Sequence, residues 1–392
     1  MTFRVTAWAS AGILALSAAA LTTVPATAAQ VKTAATAATK RGWQFSFQLP
    51  ALAGETDRVL AIASAGTSHA WAVGGQTGKV NGQTVGVPAV FTWNGKSWSQ
   101  VKLPGPAREG YFSAVSAISA SNVWAIGGCE GCSSFAAHYN GSRWTWYSSP
   151  AKGADSGLAA LGSTDVWVAD YARLLHRTGS TWKSYNTPGW NGVWTVAGTA
   201  SNSVWAAGLA SVTLQPEVVH WNGSSWSAVK GLPLLKLPAN GEAIPESIAI
   251  GTHKDVYVGG LIEYPVPQTG LHEYKPFALH EYRNQWTLLT IPSSVPAGYG
   301  LSRLASDGAG GFWASAIESG AAGVTLPQKL VHYNGGKWTI TSTPAISKVG
   351  NTPSAPSVDD LAAVPGTQQV WAPIFYFQLS GNPRDAIYRY LP

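Results

Sequence analysis

A short hairpin motif recurs six times along this chain and constrains its fold more than any other feature. In each copy an aromatic or basic residue precedes a turn, and a tryptophan follows it. Asn-Gly between strand-like residues is the strongest short-range signal for a β-hairpin, because both turn positions favour a positive φ. A repeat of roughly 40 to 60 residues predicts a radial or stacked array of hairpins. The copies are residues 93–98, 139–144, 177–182, 221–226, 282–286 and 333–338.

A second repeated element, usually Val-Trp, predicts another strand in each unit. We name the four strands of a unit a to d, from the centre to the rim. Nine residues before each strand-b aromatic stands a mostly larger apolar group, and eight residues before it stands a very small one. This alternation predicts that strand a crowds round a narrow axis. The strand-b aromatic residues are Trp71, Trp124, Trp167, Trp205, Tyr257, Trp313 and Trp371.

The two ends of the repeat region predict how the array closes. Segment 43–50 precedes any complete unit, and segment 386–390 is a strand c with no later partner. Pairing these segments completes the last blade and removes an open sheet edge, which would otherwise promote aggregation. The sequence therefore predicts an all-β fold: a seven-bladed β-propeller of four-stranded blades, with the last blade closed by the N-terminal strand.

These repeats resemble those of kelch-like propellers, and they resemble exported bacterial propellers with VWAxG and WNGxxW units more closely still. The resemblance covers residues 43–392 and implies the fold, but a propeller fold does not imply a function. Most blades lack the double glycine of the kelch pattern, and the spacing between strands c and d is shorter. The double glycines that end strand b are Gly74-Gly75, Gly127-Gly128 and Gly259-Gly260.

The first 41 residues are predicted to lie outside the propeller. Arg4, an apolar run over 7–21 and an Ala-Thr-Ala site at 26–28 predict a signal peptide at 1–29, and therefore secretion. An uncleaved membrane anchor is the alternative, although the run is short for a membrane span. Residues 30–41 are predicted to be a flexible linker, which leaves 42–392 for the propeller.

Cysteine and histidine usage indicates no metal site and no cofactor. The two cysteines, Cys129 and Cys132, stand alone in a loop after a strand, so we expect a small structural disulfide. This also argues against the copper radical oxidases among kelch-like propellers, which need a cysteine cross-linked to a tyrosine. Five histidines recur six residues before a strand-d tryptophan, which predicts a packing or hydrogen-bonding role: His138, His176, His220, His280 and His332.

The charge balance excludes a nucleic-acid footprint. The formal net charge is +6, but Arg4, Lys32, Lys40 and Arg41 precede the predicted propeller, whose own charge is about +2. Charged residues make up only 11% of the chain, against about 25% in ordinary domains. We expect a monomer without a membrane span in its mature form, and a glycan or an extracellular protein as its partner.

Loop lengths predict which face binds. The a–b and c–d turns are short and similar, whereas the b–c and d–a loops vary widely, as at 170–172, 233–246 and 261–277. Binding residues concentrate on loops held by a rigid scaffold, so we expect the face with the b–c and d–a loops, here called the loop face, to bind. Candidates around its central mouth are Arg58, Tyr111, Asp155, Trp190, Trp194, Glu246, Arg303, Asp359 and Asp360.

Three functions fit these residues. The first is a secreted, non-catalytic recognition propeller that binds a carbohydrate or protein partner, because aromatic rings can stack on sugars while acids and arginines bond their hydroxyls. The second is a polysaccharide-acting hydrolase or lyase, in which carboxyl groups such as Asp155, Glu246, Asp359 or Asp360 act with Arg303. The third is a structural envelope or matrix protein.

Overall fold

The computed structural model describes residues 41–49, 57–129, 131–151, 157–187, 189–268, 270–295, 298–318, 328–344, 356–376 and 384–392. The predicted signal peptide, residues 30–40 of the predicted linker and the candidate Asp155 lie outside these ranges. The described residues form strands and turns, with no helix among them. Hence none of these residues belongs to a helix long and apolar enough to cross a membrane.

The strands form seven antiparallel sheets. The first strand is β1 (Gly42–Gln48). Blade 1 contains β2 (Arg58–Ser64), β3 (Ala70–Val80), β4 (Gln83–Trp93) and β5 (Trp98–Val101). Blade 2 contains β6 (Tyr111–Ser119), β7 (Asn122–Gly128), β8 (Phe135–Tyr139) and β9 (Trp144–Ser148). Blade 3 contains β10 (Gly157–Ala160), β11 (Asp165–Asp170), β12 (Arg173–Thr178) and β13 (Thr181–Asn186).

The remaining blades follow the same order. Blade 4 contains β14 (Trp190–Ala200), β15 (Ser203–Ala210), β16 (Pro216–Trp221) and β17 (Trp226–Ala228). Blade 5 contains β18 (Glu242–Ile250), β19 (Val256–Val266), β20 (Leu271–Tyr282) and β21 (Gln285–Leu288). Blade 6 contains β22 (Tyr299–Ser306), β23 (Phe312–Glu318), β24 (Lys329–Asn334) and β25 (Lys337–Ser342). Blade 7 contains β26 (Pro356–Val358), β27 (Ala362–Ala363), β28 (Val370–Tyr376) and β29 (Arg384–Leu391).

The seven sheets close into a ring. Their innermost strands contact one another in succession, from β2 of blade 1 round to β27 of blade 7, which contacts β2 again. β1 pairs with β29 and so becomes the outermost strand of blade 7. Phe47 and Leu49 at its end are buried in one hydrophobic cluster with Trp93 and Trp98 of blade 1. The predicted seven-bladed propeller, closed by the N-terminal strand, is confirmed.

The hairpin turns follow the prediction only in part. In blades 5 and 6 two residues with positive φ join strands c and d, as at Arg283 (53°) and Asn284 (62°). In the Asn-Gly copies of blades 1, 2 and 4, four residues separate the paired positions, and only the glycine has a positive φ. There the asparagine oxygen accepts backbone N–H groups, as Asn94 does from Lys96 and Ser97. A four-residue loop needs this side-chain bond rather than two left-handed residues.

A cross-strand pair recurs in five blades. The strand-c histidine lies opposite the strand-b aromatic, with ring centroids 3.8–4.6 Å apart. Its Nε2 atom bonds to a polar side chain beside the a–b turn, as His176 does to Asp165 at 2.7 Å. The predicted packing and hydrogen-bonding role of these histidines is confirmed.

The innermost strands share an irregularity near their loop-face end. The pairing of β2, β6, β14, β18 and β22 with strand b shifts register at nearly the same distance from the strand-b aromatic. In blade 7 the strand is interrupted between β26 and β27. Bulges re-aim side chains and are common at barrel rims and beside active sites. The shifts include Leu60, Ser113, Trp194, Glu246 and Arg303.

Candidate functional site

The candidate residues lie at the mouth because the innermost strands begin or bulge there. Trp194, Glu246 and Arg303 occupy bulges, while Asp359 and Asp360 fill the interruption of blade 7. Other candidates stand at strand starts: Arg58 in β2, Tyr111 in β6 and Trp190 in β14. Their contacts define two groups, and Arg303 lies close enough to act electrostatically on acids of both.

The first group lies where blade 7 meets blade 1, and we call it the closure seam. Arg58 Nη2 forms an ion pair with Asp359 Oδ1 at 2.6 Å, and its guanidinium lies 4.2 Å from the centre of the Phe375 ring. Burial of the guanidinium opposes its charge, but Asp359, Asp385 and Tyr111 outweigh burial and raise its pKa. Arg58 therefore stays charged and links the two terminal blades.

Asp360 also spans the closure seam. Its Oδ2 accepts the backbone N–H of Ile62 in β2 at 2.9 Å, and its Oδ1 accepts the N–H of Leu361 at 2.8 Å. Burial raises the pKa of Asp360 to about 6, although Arg303 and the two N–H groups oppose the rise. Both oxygens of this carboxyl group thus accept hydrogen bonds from backbone N–H groups.

Asp385 completes the closure seam, and the sequence analysis missed it. Its Oδ2 accepts the backbone N–H of Val59. Burial, together with the nearby charge of Asp359, raises the pKa of Asp385 well above its ordinary value. Burial raises the pKa of Asp359 as well, but the charge of Arg58, with which it is paired, opposes the rise. An acid directly before the apolar pair Ala386-Ile387 of β29 was the available sequence signal.

The second group lies on blades 3 to 6, and we call it the open half. The Trp190 indole donates to the carboxylate of Glu217 and covers Gly208, where a Cβ atom would lie 2.3 Å from the ring. Trp194 is half-buried, and its ring meets that of Tyr171 edge to face at 5.7 Å. Tyr171 itself is 42% exposed in the b–c turn of blade 3. An aromatic surface therefore remains open to solvent here.

The charges of Glu246 and Arg303 interact within the open half. Burial raises the pKa of Glu246, the charge of Arg303 opposes the rise, and that of Glu263 adds to it. Arg303 is exposed and has a φ of 49°, which turns its backbone out of the strand. Within the described part of the chain, neither side chain forms a hydrogen bond or an ion pair.

Further acids of blade 5 extend the open half, and the sequence analysis missed them. Glu242 and Glu263 lie opposite each other in β18 and β19. Burial and the charge of Glu263 raise the pKa of Glu242, and the pKa of Tyr274, opposite Glu263 in β20, is raised to about 12 by burial and nearby acids. His272 Nδ1 bonds to Glu263 Oε1 at 2.5 Å. The sequence predicts a loop at 261–277, but β19 and β20 take up most of it as a hairpin. Without this pairing the alternating residues cannot be assigned to the two faces of a sheet.

Cys129 and Cys132 form the predicted disulfide, with Cα atoms 5.2 Å apart. Among the described residues no group of three or more His, Cys, Asp or Glu side chains could hold a metal ion.

Comparison with known proteins supports the fold alone. No protein-family model matches the chain, and no curated protein matches it. A GH74 xyloglucanase from Xanthomonas campestris is structurally similar, with a TM-score of 0.53 and 15% identity over 88% of this chain and 55% of that chain. The tricorn protease gives a TM-score of 0.49 and 10% identity, over 88% of this chain and 34% of that one. This chain thus spans about half the length of the xyloglucanase. The resemblance of this chain to kelch-like propellers stays a prediction.

Proposed function

We propose that this protein is a secreted, non-catalytic recognition propeller that binds a carbohydrate chain at the open half of its mouth. One observation carries the proposal: the exposed ring of Tyr171 meets the half-buried ring of Trp194 and lies near the carboxyl group of Glu242 in blade 5. Glu242 is close enough to Tyr171 to raise the pKa of its hydroxyl, after the larger effect of burial. A protein partner is the other outcome of the test below.

The chemistry of the open half matches that of a sugar. Aromatic rings offer flat apolar surface at a small cost in conformational entropy. Carboxyl groups and an arginine then fix orientation by accepting from and donating to hydroxyl groups. Glu246 and Arg303 have no hydrogen bond or ion pair with described residues and remain available for such contacts. The structurally similar xyloglucanase adds xyloglucan to the ligands worth testing.

The closure seam supports a non-catalytic function. Asp359 is held by Arg58, and both oxygens of Asp360 hold backbone N–H groups. A glycoside hydrolase needs one carboxyl group as acid and a second as base or nucleophile, each free to meet the substrate. Two of the candidate acids are therefore committed to holding blades 7 and 1 together.

Hydrolysis remains the second candidate function, and the pKa of Glu246 favours it. Burial raises this pKa, as a general acid requires. If Glu246 is catalytic, Glu246→Gln abolishes turnover and retains glycan binding. If the protein only recognises its ligand, the wild type releases no reducing ends from any polysaccharide that it binds.

A polysaccharide array that includes xyloglucan, followed by titration calorimetry on the best ligand, tests the proposal. We expect Trp194→Ala to weaken binding by about tenfold, which is 1.4 kcal/mol. Phe45→Ala is the matched control, because Phe45 is 50% exposed on β1 and lies in the outermost strand of blade 7. Binding of an extracellular protein but of no glycan would replace the carbohydrate with a protein partner. Unchanged affinity in Trp194→Ala would contradict the site.

Secretion has its own test. The mature protein is expected in the culture medium with an N-terminus just after Ala28 or Ala29. Retention of the full-length chain in a membrane fraction would contradict the predicted cleavage.

A further inference from the structure

The seams between blades are sealed by a repeated contact. In six of the seven seams, the strand-b aromatic of one blade meets an aromatic ring or an arginine on strand c of the next blade, at 4.6–6.4 Å. The strand-b residue is then at most 3% exposed. The pairs are Trp71–Tyr139, Trp124–Arg177, Trp167–Trp221, Tyr257–Tyr333, Trp313–Tyr390 and Trp371–Trp93.

The seam between blades 4 and 5 lacks this contact. Strand pairing places Glu281, not Tyr282, opposite Trp286, which is the position that the sealing residue takes in other blades. The repeat predicts Tyr282 at this position, and the strand register corrects that prediction. Of the seven strand-b aromatic residues, all of them described, Trp205 is the one that is not fully buried.

A cavity of about 400 Å³ lies between blades 4 and 5. It opens on the face formed by the a–b and c–d turns, opposite the mouth. Trp205, His220 and Glu281 line its interior, and the exposed Lys254 and Arg283 stand at its rim. Glu281 is 7% exposed, and its Oε1 accepts the N–H of Asn284 at 2.5 Å. Among the described residues this carboxylate has no ion-pair partner.

We propose that this cavity binds a guanidinium or ammonium group, lying on the Trp205 indole and paired with Glu281. A buried carboxylate without a cationic partner is energetically costly, so a bound cation would stabilise it. A cation over the face of an indole ring is also attracted by the ring, and this attraction is stronger away from water. The propeller uses the same contact internally, since Arg177 lies 4.9 Å from the Trp124 ring and Arg389 lies 4.7 Å from that of Trp371. At this seam the chain supplies the carboxylate and the ligand supplies the cation.

The positive charge at the rim of the cavity narrows the choice of ligand further. Lys254 and Arg283 repel a polybasic segment but attract an anion placed beside the bound cation. The best match is therefore a zwitterion whose guanidinium enters the cavity while its carboxylate meets the rim. Free arginine and a peptide that ends in arginine share this chemistry. The site is independent of the glycan site proposed at the mouth.

Titration calorimetry with L-arginine, glycyl-arginine and agmatine tests the proposal. We expect saturable binding of arginine and glycyl-arginine, and weaker binding of agmatine, which lacks the carboxylate. If glycyl-arginine binds more tightly, the natural ligand is the C-terminal arginine of a peptide. If arginine binds more tightly, the natural ligand is the free amino acid. Glu281→Gln is expected to lower the affinity about tenfold, whereas Glu109→Gln, the same change at an exposed loop position, leaves it unchanged.

A second variant keeps the proposal falsifiable if Glu281→Gln perturbs the hairpin. Glu281→Tyr restores the sealing ring of the other seams, so it should fold, bury Trp205 and abolish arginine binding. Absence of saturable arginine binding to the wild type would overturn the proposal. Equal binding by Glu281→Tyr, or displacement of arginine by a neutral oligosaccharide, would overturn it as well.

Discussion

The two sides of the mouth carry similar residues and use them differently. At the closure seam three carboxyl groups of blade 7 bind the first half of β2, through the Arg58 side chain and the N–H groups of Val59 and Ile62. In the open half, Glu246 and Arg303 have no such partners among the described residues. Between blades 2 and 3 and between blades 5 and 6, one serine hydroxyl links the innermost strands, as Ser247 does by accepting the N–H of Leu304 at 2.9 Å.

The difference follows from the path of the chain. Six seams join blades that follow each other in sequence, whereas the seventh joins the first blade to the last, about 300 residues apart. The chain itself crosses this seam only from β1 to β2, so the contacts of β1 and β2 with the C-terminal strands of blade 7 must hold without a covalent link. Charged residues at the closure seam therefore stabilise the ring there, and the binding that we propose uses the open half.

Removal of β1 should give the largest effect. A chain that begins at residue 51 loses the pairing with β29 and the buried side chains Phe47 and Leu49, and it exposes a sheet edge. We expect aggregation, or loss of the cooperative thermal transition measured by circular dichroism. A chain that begins at residue 41 is the control. Equal melting of both truncations would show that the ring does not depend on this strand.

Asp359→Asn should have the next largest effect. It leaves the Arg58 guanidinium without its charged partner at a mostly buried site, so we expect a loss of about 2 kcal/mol in the free energy of unfolding. Urea denaturation measures this change. Glu246→Gln is the same substitution in the open half and should shift stability by less than about 1 kcal/mol, toward higher stability, because it removes a buried charge. Equal losses in both variants would erase the distinction between the two sides.

The pH dependence of stability should reflect the closure seam. Because the pKa of Asp360 is about 6 in the folded protein and 3.8 ordinarily, its contribution to stability is complete below about pH 4. This contribution is lost as the pH rises through about 6, with a slope of at most about 1.4 kcal/mol per pH unit. Asp360→Asn should flatten the curve of unfolding free energy between these pH values. A curve of unchanged slope would contradict the role of this carboxyl group.

The architecture could be predicted from sequence because it repeats. Strand-b aromatic residues such as Trp124, and the histidines opposite five of them, recur in equivalent positions. Seven strands b against six hairpins indicated that β1 closes the ring. Period-two alternation predicted that strand a is the innermost strand of each blade, and the strand order confirms this. Each of these signals is local, and repetition reinforces it.

The division of the mouth could not be predicted, because it depends on register and on distant pairs. A bulge such as that at Glu246 adds one residue without breaking the apolar pattern around it. The partner of Arg58 lies in blade 7, and a single sequence gives no signal for such a pair. Glu281 occupies a position that aromatic residues or arginine hold in the other blades. The sequence alone does not show this, because only the strand pairing establishes the register.

A paired measurement on Asp359→Asn and Trp194→Ala tests the division of the mouth most directly. For each variant the free energy of unfolding and the affinity for the best polysaccharide ligand are determined under the same conditions. We predict a crossed pattern: Asp359→Asn loses stability and keeps its affinity, whereas Trp194→Ala loses affinity by about tenfold and keeps most of its stability. Loss of both properties in both variants would contradict the account, as would loss of affinity in Asp359→Asn alone.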